Sequence, residues 1–147
     1  MPNQSPYKLD LTALSNSISS FEDSLKIPEN AEWLSQQSSA VQNTLAAGVI
    51  QNFEFVYELC IKMLRRRLEL DADSPGEIDQ LSFRDTLRLA GEKGLIEKVE
   101  SWFDYRSLRN VTSNTYDHNK AKRACEEAIP FLEDAKSLLQ ALEKRND

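Results

Sequence analysis

The sequence predicts an all-α protein, an antiparallel four-helix up-and-down bundle with one additional short helix. Apolar residues recur at steps of three and four along four long stretches, strand-like alternation is absent, and only 4 Gly and 5 Pro interrupt the 147 residues. Because residues three and four apart share one face of an α-helix, each stretch carries an apolar face for packing. We expect a single domain over residues 1–147, with residues 1–6 and 145–147 loose.

The first two predicted helices follow from this spacing. One begins near Tyr7, and Pro28 ends it or follows it, because proline cannot continue helical hydrogen bonding. Its apolar face consists of Leu11, Leu14, Ile18, Phe21 and Leu25. The second helix runs from Trp33 to Leu70 and is apolar over a wide face between residues 45 and 64. A face of that width suits the centre of a bundle or contact with a second subunit.

Turn chemistry separates the second helix from a short one. The segment Asp71–Glu77 contains Ser-Pro-Gly and predicts a loop. Ser82, with Asp85 three residues later, is typical of a helix N-cap. The short helix that follows should end between Gly91 and Gly94, since glycine favours helix C-termini.

Two further helices complete the predicted bundle. One spans Glu97–Leu108, and we interpret its large apolar residues as core. These residues are Val99, Trp102, Phe103 and Tyr105. The last helix spans about Asn119–Lys144, and Pro130 inside it predicts a bend. Its apolar face consists of Ala121, Cys125, Ala128, Leu132, Ala135, Leu139 and Leu142.

Composition and charge exclude several classes of protein. No apolar run is long enough to span a bilayer and the N-terminus lacks a basic, apolar signal sequence, so we expect a cytoplasmic chain without a membrane partner. The net charge of −6 disfavours broad binding to nucleic-acid backbone. Two local basic clusters remain, and we interpret the first of them as solvated helix surface. The clusters are Arg65–Arg67, and Lys120 with Lys122 and Arg123.

The sequence contains no recognisable metal or cofactor motif. Cys60 and Cys125 lie within apolar helical patterns, so we interpret them as buried thiols rather than as a disulfide or a metal pair. The four glycines are too scattered to form a phosphate-cradling loop. We therefore predict no metal and no resident cofactor.

The densest polar stretch of the chain, Arg109 to Ala121, joins the last two helices. Its Asn, Asp, Ser and Thr side chains compete with the helix backbone for hydrogen bonds and predict a helix boundary. The stretch is either a helix–loop–helix connection capped by Asn or Asp, which the residues alone favour, or a site that binds phosphate or nucleotide. For such a site, Arg109 offers a charged fork, Tyr116 a hydroxyl, and His118, the only histidine, a group that titrates near neutral pH.

Three polar residues of the second helix are candidates to support this site. Glu54 and Glu58 are four residues apart and share a face, together with Gln51. They are either surface carboxylates or groups that orient Arg109 or line the site. Two carboxylates also suit a divalent cation, but no further ligands follow at a recognisable spacing.

The segment Arg109–Asp117 resembles the Arg-Asn-x-x-Ser-His-x-Tyr segment of the nucleotidyltransferase substrate-binding proteins, a family within the HEPN superfamily of helical bundles. Residues 48–59, 82–96 and 102–108 are similar to the same family, and the resemblance covers about 9–142. One departure is Asn114, because the family usually has His at that position.

The resemblance implies a nucleotide- or substrate-binding site that includes Arg109, Asn110, Asn114, Tyr116 and His118. In the HEPN superfamily a closely spaced Arg and His cleave RNA, since Arg stabilises a phosphorane-like transition state and His moves protons. An amide at Asn114 transfers no proton, and His118 lies outside the usual spacing. We therefore expect ribonuclease activity of the chain alone to be weak or absent.

The resemblance also implies partners. These are a separately encoded minimal nucleotidyltransferase and a second copy of the chain in a homodimer. In related toxin–antitoxin pairs the nucleotidyltransferase adds adenylate to the motif tyrosine, here Tyr116, with a nucleotide such as ATP supplied through that partner. Three functions stay open: a substrate-binding subunit, which we favour; a ribonuclease toxin with a degenerate site; and a structural helical oligomer.

Overall fold

The computed structural model describes residues 8–74, 76–112 and 118–146, apart from the side chains of residues 28, 29 and 118–121. Within these ranges the chain forms helices and no strand, which confirms the all-α prediction. The helices are α1 (Thr12–Glu29), α2 (Ala31–Ser35), α3 (Ser39–Asp71), α4 (Gly76–Asp79), α5 (Phe83–Glu92), α6 (Val99–Thr112) and α7 (His118–Arg145). No described helix combines the length and apolarity needed to cross a bilayer.

The helices α3 and α7 lie side by side and run in the same direction. The Cys125 thiol donates to the Ala46 carbonyl, with 3.4 Å between sulfur and oxygen. At the far ends of the two helices, Arg67 donates to the Arg145 carbonyl at 3.5 Å. Both cysteines are free and buried, as predicted.

The helices α1 and α6 run opposite to α3 and α7. Lys136 of α7 pairs with Glu22 of α1 at 2.6 Å, and Asn146 bonds both backbone groups of Leu9 at 3.0 Å. On α6, the Tyr105 hydroxyl donates to Asp134 of α7. The four long helices therefore alternate in direction along the chain, and α3 and α7 form the central pair.

Phe131 of α7 is fully buried where all four long helices meet. Its ring centroid lies 6.1 Å from that of Phe21, 5.1 Å from Phe53, 5.6 Å from Trp102 and 4.8 Å from Tyr105. Three of these pairs are edge-on, the arrangement that the quadrupoles of aromatic rings favour. One side chain of α7 thus contacts α1, α3 and α6 at the same point.

The buried face of α7 differs from the one predicted. Phe131 and Leu138 are fully buried, whereas the predicted Leu132 and Leu139 are only partly buried. Cys125, Ala128, Ala135 and Leu142 are buried as predicted, and the buried face extends round the axis to Phe131 and Leu138 because three helices cover α7. Ala121 lies outside the described side chains, and the bend at Pro130 stays a prediction.

The long helix predicted from Trp33 is in fact two helices, and α3 begins only at Ser39. The Ser38 hydroxyl accepts the backbone N–H of Val41 at 3.2 Å and so caps a new helix. This serine satisfies a backbone donor that otherwise has no partner in the first turn.

Three short helices, rather than the single one predicted, accompany the long ones. Besides α2, the predicted loop Asp71–Glu77 leads into the single turn α4, which buries Ile78. The predicted α5 is confirmed, with its Ser82 cap on Asp85 N–H at 3.1 Å. It ends at a left-handed Gly94, where a 2.9 Å bond from Leu95 N–H to the Ala90 carbonyl closes the C-terminus.

The C-terminal end of the chain and Arg67 also differ from expectation. Arg145 lies in α7 and Asn146 is hydrogen-bonded, although residues 145–147 were expected to be loose. Arg67 was interpreted as solvated surface but is 3% exposed. It is buried because Asp71 binds its guanidinium at 2.7 Å and the carbonyl of Arg145 accepts from it, which compensates the buried charge.

We predict that Phe131→Ala lowers the free energy of unfolding by about 3–5 kcal/mol, since it opens a cavity at the junction of four helices. Urea denaturation followed by far-UV circular dichroism measures the change. Ile129→Ala is the matched control, because Ile129 lies two residues away and is 50% exposed. The control should change the free energy by less than about 0.5 kcal/mol. Equal effects of the two substitutions would contradict the assigned core.

Candidate functional site

The candidate site begins on the last described turn of α6. The sequence predicted that this helix ends at Leu108, but α6 continues to Thr112, so Arg109 and Asn110 are helical. The extension has a structural cause, because Arg109 and Thr112 both bind α3 through their side chains. These bonds offset the poor helix propensity of the polar residues in this turn.

Arg109 is held by two carboxylates of α3. Its Nη1 donates to Glu54 Oε2 at 3.1 Å and its Nη2 to Glu58 Oε1 at 2.7 Å. Thr112 Oγ1 donates to the same Glu54 oxygen at 2.9 Å. The structure therefore brings together Arg109 with two of the three residues predicted to support it. Gln51 is exposed on the same helix and makes no bond to Arg109 among the described residues.

The two carboxylates differ in their exposure to solvent. The side chain of Glu54 is 24% exposed and that of Glu58 is 59% exposed. The hydrogen bond to Glu58, together with the charge of Glu54, raises the pKa of Arg109 above its ordinary value. Because surface ion pairs are strongly screened, Glu54 should contribute more than Glu58 to holding the guanidinium.

Two carboxylates around one guanidinium leave this cluster with one net negative charge when all three groups are ionised. Both terminal nitrogens of Arg109 are already engaged by carboxylate oxygens. A phosphate group that approached Arg109 would have to displace an oxygen, and exposed Glu58 is the partner that can rotate away into water. The geometry thus makes Arg109 a positioned group rather than an open phosphate site.

Tyr57 lies beneath this cluster and is buried on α3. Burial raises the pKa of Tyr57 to about 12, against the opposing effect of the positive charges on Arg106 and Arg109. The phenol therefore stays protonated at neutral pH. The shared influence on Tyr57 also indicates that Arg106 and Arg109 lie on the same side of α6.

Two residues of this region escaped the sequence analysis. Thr112 is buried and bonds Glu54, and its position three residues after Arg109, on the same helix face, was the available signal. Phe55 is 57% exposed on α3, between the two carboxylates in sequence. Its position off the apolar seam was the signal that it would face outward.

The remaining predicted residues lie at or beyond the edge of the described chain. Asn114 and Tyr116 fall outside the described residues. His118 is the first residue of α7, and its side chain is not described. Asn110 is exposed on α6. In the described ranges no three His, Cys, Asp or Glu side chains converge as metal ligands.

A cleft of about 830 Å³ lies on the other side of α6, facing α7. Asp104, Ser107 and Val111 line it from α6, and Arg123 and Glu127 line it from α7. Val111 lies within the predicted polar stretch, and Arg123 lies two residues after its end. The last turn of α6 therefore borders both the cluster around Glu54 and this cleft.

The fold and the site define an all-α helical protein with an arginine fixed on the helix that leads into a polar motif. A family model described as nucleotidyltransferase substrate binding protein like matches residues 9–144, and the chain belongs to this family. This confirms the resemblance seen in the sequence.

A curated sequence and a solved structure, both from Haemophilus influenzae, are similar to this chain in sequence and fold. One, named probable ribonuclease HepT, is 42% identical over 139 residues, which are 95% of this chain and 95% of the relative. The other is a solved structure described as revealing the fold of a substrate binding domain of a nucleotidyltransferase. It matches with a TM-score of 0.87 and 40% identity over 91% of this chain and 99% of that chain.

We predict that Glu54→Gln destabilises the protein more than Glu58→Gln. Double-mutant cycles with Arg109→Ala, measured by thermal denaturation, should give a coupling of about 1 kcal/mol or more for Glu54 and about 0.5 kcal/mol or less for Glu58. The reason is that Glu54 is half as exposed and also accepts from Thr112. A larger coupling free energy for Glu58 than for Glu54 would show that solvent exposure does not decide which ion pair with Arg109 is stronger.

Proposed function

We propose that the chain is the substrate-binding subunit of a separately encoded minimal nucleotidyltransferase. It presents Arg109, Asn114 and Tyr116 at a cleft shared with that enzyme, which supplies the nucleotide. Membership of the family supports the pairing. The observation that carries the proposal is Arg109, fixed by Glu54 and Glu58 at the entrance to the polar motif.

In this proposal Tyr116 accepts adenylate from ATP. The phenolic oxygen forms a bond to the α-phosphorus, the bond from that phosphorus to the bridging oxygen breaks, and pyrophosphate leaves. The phenolic proton passes to a base of the nucleotidyltransferase or to water. Arg109 lies within the same motif and can stabilise charge that develops on the transferred group once Glu58 rotates away.

Tyr116→Phe should abolish adenylate incorporation from radiolabelled ATP by the cognate nucleotidyltransferase, because the substitution removes only the attacking oxygen. Tyr105→Phe is the matched control, since Tyr105 is buried and its hydroxyl is bound to Asp134. Arg109→Ala should weaken incorporation by roughly 1.5–3 kcal/mol of transition-state free energy. Incorporation that persists in Tyr116→Phe would move the acceptor to another residue.

A ribonuclease is the second candidate, favoured by the printed name of the 42% identical relative. The chain has Asn114 where the family usually has His, and this replacement removes the proton-transfer group. Asn114→His should therefore produce RNA cleavage that Arg109→Ala removes again, as followed on a labelled oligonucleotide. Robust cleavage by the unaltered chain would favour the ribonuclease over the binding subunit.

A homodimer is the second part of the proposal, and membership of the family supports it, whereas the wide apolar face of the second predicted helix does not. The wide apolar face over residues 45–64 is largely used within the chain, because α3 is a central helix covered by α1 and α7. The exposed large apolar residues of α3 are Phe55 and Val41, and Gly48 lies two turns before Phe55 and two turns after Val41. A Cβ at Gly48 would meet nothing within 4 Å.

Phe55 and Gly48 suit a two-fold contact between α3 helices. In an antiparallel pair related by a two-fold axis near Gln51 and Asn52, Phe55 of one copy lies opposite Gly48 of the other. The pairing would bury two exposed Phe55 rings, one from each copy. It would also use the open surface that the glycine leaves.

Gly48→Leu and Phe55→Ser should each convert the dimer to a monomer in light scattering at micromolar concentration. Leucine fills the space that the ring needs, and serine removes the ring. Neither should unfold the chain, since both positions face outward. Ile129→Ser on α7 is the control for loss of an exposed apolar side chain. A monomeric mass for the unaltered protein would refute the dimer.

A further inference from the structure

Two arginines on α5 and α6 lie over aromatic rings of the opposite helix. The Cζ atom of Arg84 lies 4.3 Å from the ring centroid of Phe103, and that of Arg106 lies 4.0 Å from the ring centroid of Phe83. The arrangement is crossed, because each helix contributes one cation and one ring. Both guanidinium groups belong to exposed residues.

Neither cation has a carboxylate partner among the described residues. Arg88, one turn from Arg84 on the same helix, differs in this respect because it pairs with Asp85 at 3.5 Å. The chain has 24 acidic against 18 basic residues, so two neighbouring guanidinium groups without an acidic partner are an unusual local excess of positive charge.

Stacking on a ring fixes a guanidinium without using its hydrogen bonds. The ring covers one face of the planar group, and the N–H donors point outward in the plane. Side-chain entropy is thereby lost before a ligand arrives, so less is lost on binding. Carboxylates and phosphates are the groups that a guanidinium group binds through paired hydrogen bonds.

The contrast with Arg109 indicates where a phosphate would bind on this side of α6. Arg109 is compensated by Glu54 and Glu58, whereas Arg106, one turn earlier, pairs with no carboxylate in the described part of the chain. The acidic residue next to Arg84, Asp85, is itself bound by Arg88. The open positive charge therefore lies at Arg84 and Arg106, beside the candidate site rather than in it.

We propose that Arg84 and Arg106 form a subsite for the phosphoryl groups of a polyphosphate or oligonucleotide ligand, held ready by Phe103 and Phe83. This inference deepens the proposed function, and the biological role of the subsite rests on that proposed function. The binding itself requires neither the nucleotidyltransferase nor Tyr116, so the two proposals fail separately.

The test is a titration of the full chain with inorganic tripolyphosphate, followed through the arginine Nε–Hε resonances in NMR spectra. The signals of Arg84 and Arg106 should shift. The dissociation constant should rise roughly tenfold or more in the double variant Arg84→Gln with Arg106→Gln, the size expected for losing a charge-assisted hydrogen bond. Arg88→Gln removes the same charge from α5 and should change it less than about twofold.

Two further variants distinguish the effect of a fixed, planar guanidinium group from that of charge alone. Arg84→Lys keeps the charge but loses the planar guanidinium group, and Phe103→Leu keeps the guanidinium group but loses the ring beneath it. Each should weaken tripolyphosphate binding several-fold, and circular dichroism checks that the fold is intact. If Phe103→Leu does not fold, Arg84→Lys alone decides this point.

A fluorescein-labelled single-stranded oligonucleotide distinguishes the two sources of phosphate. If tripolyphosphate binds and displaces the oligonucleotide, both use the same subsite. If only tripolyphosphate binds, the ligand is a free polyphosphate chain. Unchanged binding of both probes in the double glutamine variant, or an equal loss in Arg88→Gln, would overturn the proposal.

Discussion

The contact of Phe131 with aromatic rings from three other helices is the packing on which the rest of the molecule depends. Phe21, Phe53 and Trp102 come from α1, α3 and α6, and each lies against the same ring. Aromatic side chains bury large areas and prefer edge-on contact, so one residue fixes the relative positions of four helices. Since α3 and α6 are fixed in this way, Glu54 near the middle of α3 meets Arg109 in the last turn of α6.

The charge balance of the site follows from that packing. The crossing of α3 and α6 brings two carboxylates to one guanidinium, and both terminal nitrogens of Arg109 are occupied. An arginine fixed in this way keeps its orientation without a ligand, which is the usual requirement for a group that must act on a short-lived charge. The same compensation removes its attraction for phosphate at a distance. Among the described residues, Arg84 and Arg106 instead carry positive charge without an acidic partner and lie over aromatic rings.

The central position of α3 explains why this helix is apolar over so much of its surface. In a regular antiparallel bundle a helix has two neighbours, but α3 contacts α1, α6 and α7, and also α4 and α5. A wide apolar face therefore does not by itself indicate a second subunit. The exposed exceptions carry that information, and here they include Phe55 and the open surface at Gly48.

The sequence by itself determined the helical class, the caps of α5 and, through its motifs, the family, whereas the limits predicted for α1, α3 and α6 were wrong by four to six residues at one end. The helical class and the caps follow from short-range rules, since apolar spacing, a Ser82 cap and a glycine terminus act within one or two helical turns. It also determined that Glu54 and Glu58 share a face, but it left open whether they are surface carboxylates or partners of Arg109. Only the tertiary structure decided that question, because Arg109 is more than fifty residues away and meets them through helix packing. For the same reason the burial of Arg67, the extension of α6 to Thr112 and the central role of Phe131 required contacts between helices that no local pattern encodes.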